Sequence, residues 1–271
     1  MPDQRVYASS MHSLLLINPN TSVAVTSLAA GHVSEITGSG VRLVEATGRF
    51  GCAYISSERC FAVAALAALD CYAQQGAGCD AVLLACFGDP GLLALREVSP
   101  VPVIGLAESC MLGSASRAGR FSIVTGGAAW KPMLERLAGA LGVSKALASV
   151  RTVDVTGGQI AADPDAALDR LLSCCRAAVA EDGAREVILG GAGLAGLAAR
   201  IQPHCPVPLL DSVEVGARAA RDALDQAARD PLEVRQSSTF TGAAEAAVAT
   251  VGLDPALARL ISGGAKTPGR N

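Results

Sequence analysis

The chain has 271 residues, 51% hydrophobic, 3% aromatic and 17% charged, with 25 acids against 22 bases and no basic run. This apolar content argues against disorder, and the mild negative charge disfavours a nucleic-acid or anionic-membrane partner. No apolar stretch reaches the ~20 residues of a spanning helix, and Met1–Ser10 lacks the apolar run of a signal peptide.

In chain order, short β-branched or apolar runs alternate with Ala/Leu-rich segments of helical period. Strands are predicted at Leu14–Ile17, Val41–Glu45, Ala81–Ala85, Val103–Gly105, Phe121–Thr125, Val150–Val153, Glu186–Gly190 and Leu209–Asp211. Helices are predicted at Ser22–Ile36, Ser57–Gln75, Pro90–Val98, Ala107–Arg117, Ala128–Leu141, Asp165–Glu181, Leu194–Ile201 and Val213–Ala228. Asp163-Pro164 is a strong helix start, an N-cap acid followed by proline at the first position. Strand–helix alternation of this kind implies an α/β fold, with parallel sheets covered by helices on both faces.

An internal repeat divides the chain. AVLLACFGDPGLLALREVSPVPVIGLAESC (81–110) and EVILGGAGLAGLAARIQPHCPVPLLDSVEV (186–215) share strand, small-residue turn, Leu-rich helix, PVP or PVPL, second strand and a following Glu (Glu108, Glu214). LLLINPN (14–20) has a counterpart in FSIVTGG (121–127). Each half then holds about four strands, and a period this long means duplicated lobes facing each other across a cleft. The competing explanation is that any two βαβ units resemble one another. The expected organisation is an extension over 1–12, lobes over 13–111 and 112–211, a helix returning to the first lobe over 212–230, and an appendage, partly helical, over 231–271.

Ligands of parallel sheets bind beyond the carboxyl ends of the strands. Four turns meet that condition: Asn18-Pro19-Asn20-Thr21, Cys86-Phe87-Gly88-Asp89, Thr125-Gly126-Gly127 and Gly190-Gly191-Ala192-Gly193. Each precedes a predicted helix, so free amides and a positive dipole end are expected there, suited to a carboxylate or imide anion and later an enolate. Equally, small residues permit tight turns and nothing more. Among nine cysteines without CxxC pairs, Cys86 stands out, because a helix mouth should lower its pKa. Cys60, Cys71, Cys79, Cys110, Cys174 and Cys175 read as inert core. Asp89 reads as the N-cap of the helix that follows it. Glu108 and Glu214 read as structural. Scattered His12, His32 and His204 offer no metal cluster, and a reduced, cytoplasmic enzyme is expected.

Six segments carry a family resemblance: LLLINPNTS (14–22), ACFGDPGLLALREV (85–98), PVIGLAES (102–109), FSIVTG (121–126), VILGGAGL (187–194) and VPLLDSV (207–213). Together they resemble the Asp/Glu/hydantoin racemase superfamily, in its hydantoin-racemase branch. The resemblance implies two pseudosymmetric α/β domains, each a mainly parallel four-stranded sheet flanked by helices, with the active site between them. It also implies no cofactor and two cysteines on opposite faces of a planar carbanion. Cys86 matches the first. Where the family reads LGCAG this chain reads Leu189-Gly190-Gly191-Ala192-Gly193, so Gly191 stands in place of the second thiol. Three readings follow: an engineered variant, a natural single-cysteine enzyme using water or another group opposite, or a changed reaction such as decarboxylation of a malonate. A catalytically silent binding homologue is a further alternative.

By this resemblance the substrate-binding residues are Asn18, Tyr54, Phe87, Gly88, Thr125, Gly126, Ala192 and Gly193, with Phe50 and Ile55 on the same loop as Tyr54. The expected substrate is a small carboxylate or cyclic amide, and the protein is expected to be a homo-oligomer. A rival signal is Gly191-x-Gly193-x-x-Gly196 with Asp211 beyond it, a formal dinucleotide fingerprint. Only 80 residues follow Gly191, too few for both halves of a Rossmann domain.

Overall fold

A computed structural model describes residues 11–229 and 250–261. Among the described residues eight strands form two four-stranded sheets, every pair parallel. The first contains β1 (His12–Asn18), β2 (Val41–Thr47), β3 (Ala81–Leu84) and β4 (Val103–Gly105), in the order β2-β1-β3-β4. The second contains β5 (Phe121–Gly126), β6 (Leu147–Val153), β7 (Glu186–Leu189) and β8 (Leu209–Asp211), in the order β6-β5-β7-β8. The second order is the first advanced by four, so the sequence repeat is a repeat of topology. β1, β3, β5 and β7 are buried almost throughout, as strands covered on both faces should be.

The helices are α1 (Val23–Thr37), α2 (Glu58–Gln75), α3 (Leu92–Val98), α4 (Leu106–Ala118), α5 (Trp130–Ala140), α6 (Gly157–Ala162), α7 (Pro164–Ala180), α8 (Leu197–Ile201), α9 (Ser212–Arg229) and α10 (Pro255–Ile261). Their starts follow local chemistry. The Ser22 hydroxyl accepts from the Val25 amide, Ser57 from Cys60, and Asp163 from Ala166 ahead of Pro164. α6 is one and a half turns begun by a Thr156–Gln159 capping box; the short, glycine-rich TGGQIAA gave no periodicity from which to predict it.

Two helices exchange between the sheets. α4 leaves β4 and packs on β5 and β7, while α9 leaves β8 and packs on β3, β4, α1 and α4. One apolar core therefore runs through both halves, joining Leu14, Leu16 and Leu83 to Phe121, Ile123 and Ile188. Each half also has a core of its own. α10 docks on α2, with Leu257 buried and Leu260 packed against the core that holds Ala68, Cys71 and Tyr72, and Asp254 accepts from Gln74 and pairs with Arg49. The remainder of the 231–271 appendage lies outside the described residues, as do residues 1–10 of the expected 1–12 extension, while His12 already belongs to β1, hydrogen-bonded into the first sheet. Among the described residues no helix is long and apolar enough to cross a membrane.

Candidate active site

β1 and β3 are neighbours at the point where chain order reverses in the first sheet, and β5 and β7 are their counterparts. The turns leaving these strands meet over a cavity of about 50 Å³. Asn20 comes from the turn after β1, Cys86 and Phe87 from that after β3, Thr125 and Gly126 from the end of β5, and Gly191, Ala192 and Gly193 from the turn after β7. Ala53, Tyr54 and Ile55 close one side and Trp130, Gly157 and Gly158 another.

The aromatic wall ties the halves together. Tyr54 donates its hydroxyl to the Gly126 carbonyl (2.8 Å) and accepts from Trp130 Nε1 (3.2 Å). Burial raises the Tyr54 phenol, so it remains a neutral donor. The Phe87 ring lies against Gly190, and Thr125 donates to the Gly190 carbonyl (2.7 Å). Trp130, the one tryptophan of the chain, was not singled out from the sequence; its place just past the FSIVTG strand was the available signal.

Several sequence expectations need correction. Asn18 does not reach the cavity: it is wholly buried, and its side-chain amide donates to Asn20, Ser22 and Thr26. It shapes the turn that presents Asn20. Gly88 sits beneath Trp130 instead of facing the cavity; at φ +138°, a Cβ there would stand 2.5 Å from the indole. Phe50 is 36% exposed and does not line the cavity.

The helix mouths also stand farther off than expected. α3 begins at Leu92, and the Gly190–Gly193 turn opens into a single 3-10 turn before α8 at Leu197. The Gly191 amide donates to Ser212 Oγ (3.0 Å) and the Gly190 amide to the Val124 carbonyl (2.9 Å), so neither is free for an anion. Without a helix dipole directly behind it, the Cys86 thiol is not lowered. Burial pushes it far up, and the nearby Asp89 carboxyl pushes the same way. Cys86 rests as a thiol.

Asp89 is a cap, but of a different helix. Its carboxyl accepts from the Ala107 (3.1 Å) and Glu108 (2.7 Å) amides at the start of α4, and burial raises its pKa to about 7. Asp211 does the same for α9, accepting from Val213 and Glu214 and also from Gly196 (2.6 Å). That use of Asp211, with a 3-10 turn where a long helix should start, removes the dinucleotide reading. Glu108 pairs with Arg96 and Glu214 with Arg218, in keeping with structural roles. Cys60 and Cys174 are half-buried, not core. Among the described residues no group of three or more His, Cys, Asp or Glu could hold a metal ion.

Gly191 has φ +138° and ψ +136°, a conformation other residues adopt only with strain. A Cβ there would meet Leu194 Cδ1 at 3.2 Å and Thr125 Oγ1 at 4.0 Å, so space for a side chain exists while the backbone resists it.

Known proteins resemble this chain in sequence and in fold. A hydantoin racemase from Pseudomonas sp. (strain NS671) is 33% identical over 211 residues, 78% of this chain and 85% of its own. The solved allantoin racemase of Klebsiella pneumoniae superposes with a TM-score of 0.74 at 30% identity, covering 82% of this chain and 89% of that one. A crystal structure of arylmalonate decarboxylase shares the fold alone, with a TM-score of 0.54 at 17% identity over 78% and 92% of the two chains. Residues 14–220 match the family model described as Asp/Glu/Hydantoin racemase. With three-quarters of its length so matched, the chain belongs to the Asp/Glu/hydantoin racemase family of isomerases.

Proposed function

We propose that the protein moves a proton at an acidic carbon beside a carbonyl, on a cyclic amide of the hydantoin type, with Cys86 as the single thiol acid/base. The observation that carries this is one small cavity, between the carboxyl ends of both sheets, lined by Cys86 and by Gly191. No cofactor enters the proposal: the adjacent carbonyl makes the carbon acidic, and the enolate is a planar species that fits between two turns.

In this reading the resting thiol protonates one face of the enolate, and the thiolate that removes the proton is the minor form. The other face meets Gly191, Thr125 and whatever water the cavity admits. Tyr54 and Trp130 shape the pocket, the Asn20 side-chain amide supplies a polar contact to a substrate oxygen, and the Thr125 hydroxyl, its proton given to Gly190, accepts from a substrate N–H. The hydantoin racemase relative supports the substrate class.

The test is an enantiopure 5-substituted hydantoin in D₂O, followed by NMR and chiral chromatography. Exchange with retention is expected to dominate, because only one face carries a thiol. Exchange with equal inversion would mean a second acid opposite Cys86, and no exchange at all would sink the proposal. Decarboxylation is the second reading, favoured by the absence of a thiol at Gly191 beside the apolar side chain of Leu194, where a carboxylate can lose its solvation. It predicts CO₂ release from an aryl- or alkylmalonate without hydantoin exchange.

A further inference from the structure

Cys52 and Cys60 lie on either side of the pocket loop, and their sulfur atoms are 3.0 Å apart. Both side chains are partly exposed. Cys60 sits in the first turn of α2, an eighteen-residue helix, where the Ser57 hydroxyl accepts from the Cys60 amide and donates to its Sγ (3.3 Å each). Cys52 donates its thiol hydrogen to Cys60 Sγ. These contacts favour a thiolate at Cys60, whose pKa falls to about 7, while the same contact raises Cys52. A nucleophilic thiolate with a resolving thiol in contact is the arrangement of a redox-sensitive pair.

The intervening residues are part of the candidate site. Tyr54 and Ile55 line the cavity, and Tyr54 reaches across to Gly126. The Cys52 carbonyl accepts from the Thr21 amide (3.1 Å), joining this loop to the turn that carries Asn20. Upstream, Arg49 is held by a bidentate pair to buried Asp70 (2.9 and 2.7 Å). The loop is anchored at its start, its middle and its end. One covalent link between its two flanks would close residues 53–59 into a ring and restrict the loop further.

We propose that Cys52 and Cys60 are a peroxide-oxidisable dithiol, and that their disulfide fixes the loop bearing Tyr54 and Ile55 against the cavity. The Cys60 thiolate attacks a peroxide oxygen; the O–O bond breaks, hydroxide leaves, and Cys60 becomes a sulfenic acid. Cys52 Sγ then attacks the Cys60 sulfur, and the S–O bond breaks. The proton of Cys52 leaves with that hydroxide as water. Two thiols are oxidised by two electrons and one peroxide is reduced to two waters. Forming a ~2.05 Å bond from the present contact asks for about 1 Å of approach.

The proposal goes beyond proton transfer at Cys86, and its readout needs no substrate. The full chain is treated with one equivalent of hydrogen peroxide, alkylated in denaturant, digested and analysed by mass spectrometry. Expected is a single 52–60 link, two hydrogens lighter and reversed by a thiol reductant, with free thiols falling from nine to seven. Cys52→Ser should trap Cys60 as a dimedone-reactive sulfenic acid, and Cys60→Ser should leave Cys52 unoxidised; either variant suffices if the other does not fold. First oxidation at Cys86 or any other cysteine, or overoxidation of Cys60 beside a reduced Cys52, would overturn the pairing. Hydrogen exchange at residues 53–56 should slow about tenfold in the linked form. Unchanged exchange would overturn the loop claim.

Discussion

In the proposed mechanism, replacing Gly191 by cysteine puts a thiol opposite Cys86, and the local geometry bears on both the stability and the chemistry of that change. At φ +138° an L side chain is strained, a penalty of about 1–3 kcal/mol for a backbone held in a sparsely populated region. The new Cβ meets only Leu194 Cδ1 closely, at 3.2 Å, and a leucine methyl can give by that much, so the backbone dominates the loss. For a chain of this size that corresponds to a melting temperature lower by about 2–5 °C. Against this, a second general acid facing the enolate is worth about 10²–10⁴ in the rate of delivery to that face. Gly191→Ala carries the same backbone strain without the thiol. Scanning calorimetry and D₂O exchange of an enantiopure hydantoin should therefore show both variants destabilised alike. Only Gly191→Cys should gain inversion. Equal inversion in the two variants, or none in Gly191→Cys despite a folded protein, would refute the placing of Gly191 across from Cys86.

Because burial holds the Cys86 thiol well above its ordinary value, the thiolate fraction, and with it hydantoin exchange, should rise about tenfold per pH unit up to at least pH 9; a plateau below pH 8 would contradict this. Cys86→Ser should reduce exchange at least ~10²-fold with little change in melting temperature, which calorimetry run beside the exchange assay would check. Gly88→Ala brings a Cβ within 2.5 Å of Trp130 at φ +138° and should cost about 3 kcal/mol or more; urea unfolding and the emission of this lone tryptophan report it, and unchanged emission would count against the packing described. Asp89 keeps its proton to about pH 7 when folded but releases it near 3.8 when unfolded, so between those values the folded state binds more protons and stability falls as pH rises. Relative to Asp89→Asn, the wild type should lose up to about 4 kcal/mol from pH 4 to pH 7 by urea titration, and a flat difference would show that Asp89 does not titrate in that window.

Much of the architecture is legible in residue order alone. Doubly covered strands such as Leu14–Ile17 and Ala81–Leu84 are uninterrupted apolar runs, and the Asp163-Pro164 and Ser57 starts are written in single residues. Cys86 and the Gly190–Gly193 turn were legible for the same reason, since a strand end followed by a small-residue turn is a local pattern. Trp130, Gly158 and the partnership of Cys52 with Cys60 were not, because nothing in their local spacing reports which turn faces which.

Local sequence thus determined the parallel α/β halves, their duplication and the single thiol at the mouth of the first, all set by apolar periodicity and by chemistry within a few residues. Tertiary structure decided the rest. It turned Asn18 inward and Asn20 toward the cavity, and it aimed Asp89 at α4 instead of the helix beside it. It also raised the Cys86 thiol where a helix mouth alone would have lowered it. Desolvation and hydrogen-bond partnership depend on what the other half of the chain brings to within a few ångströms, and no window of neighbouring residues contains that information.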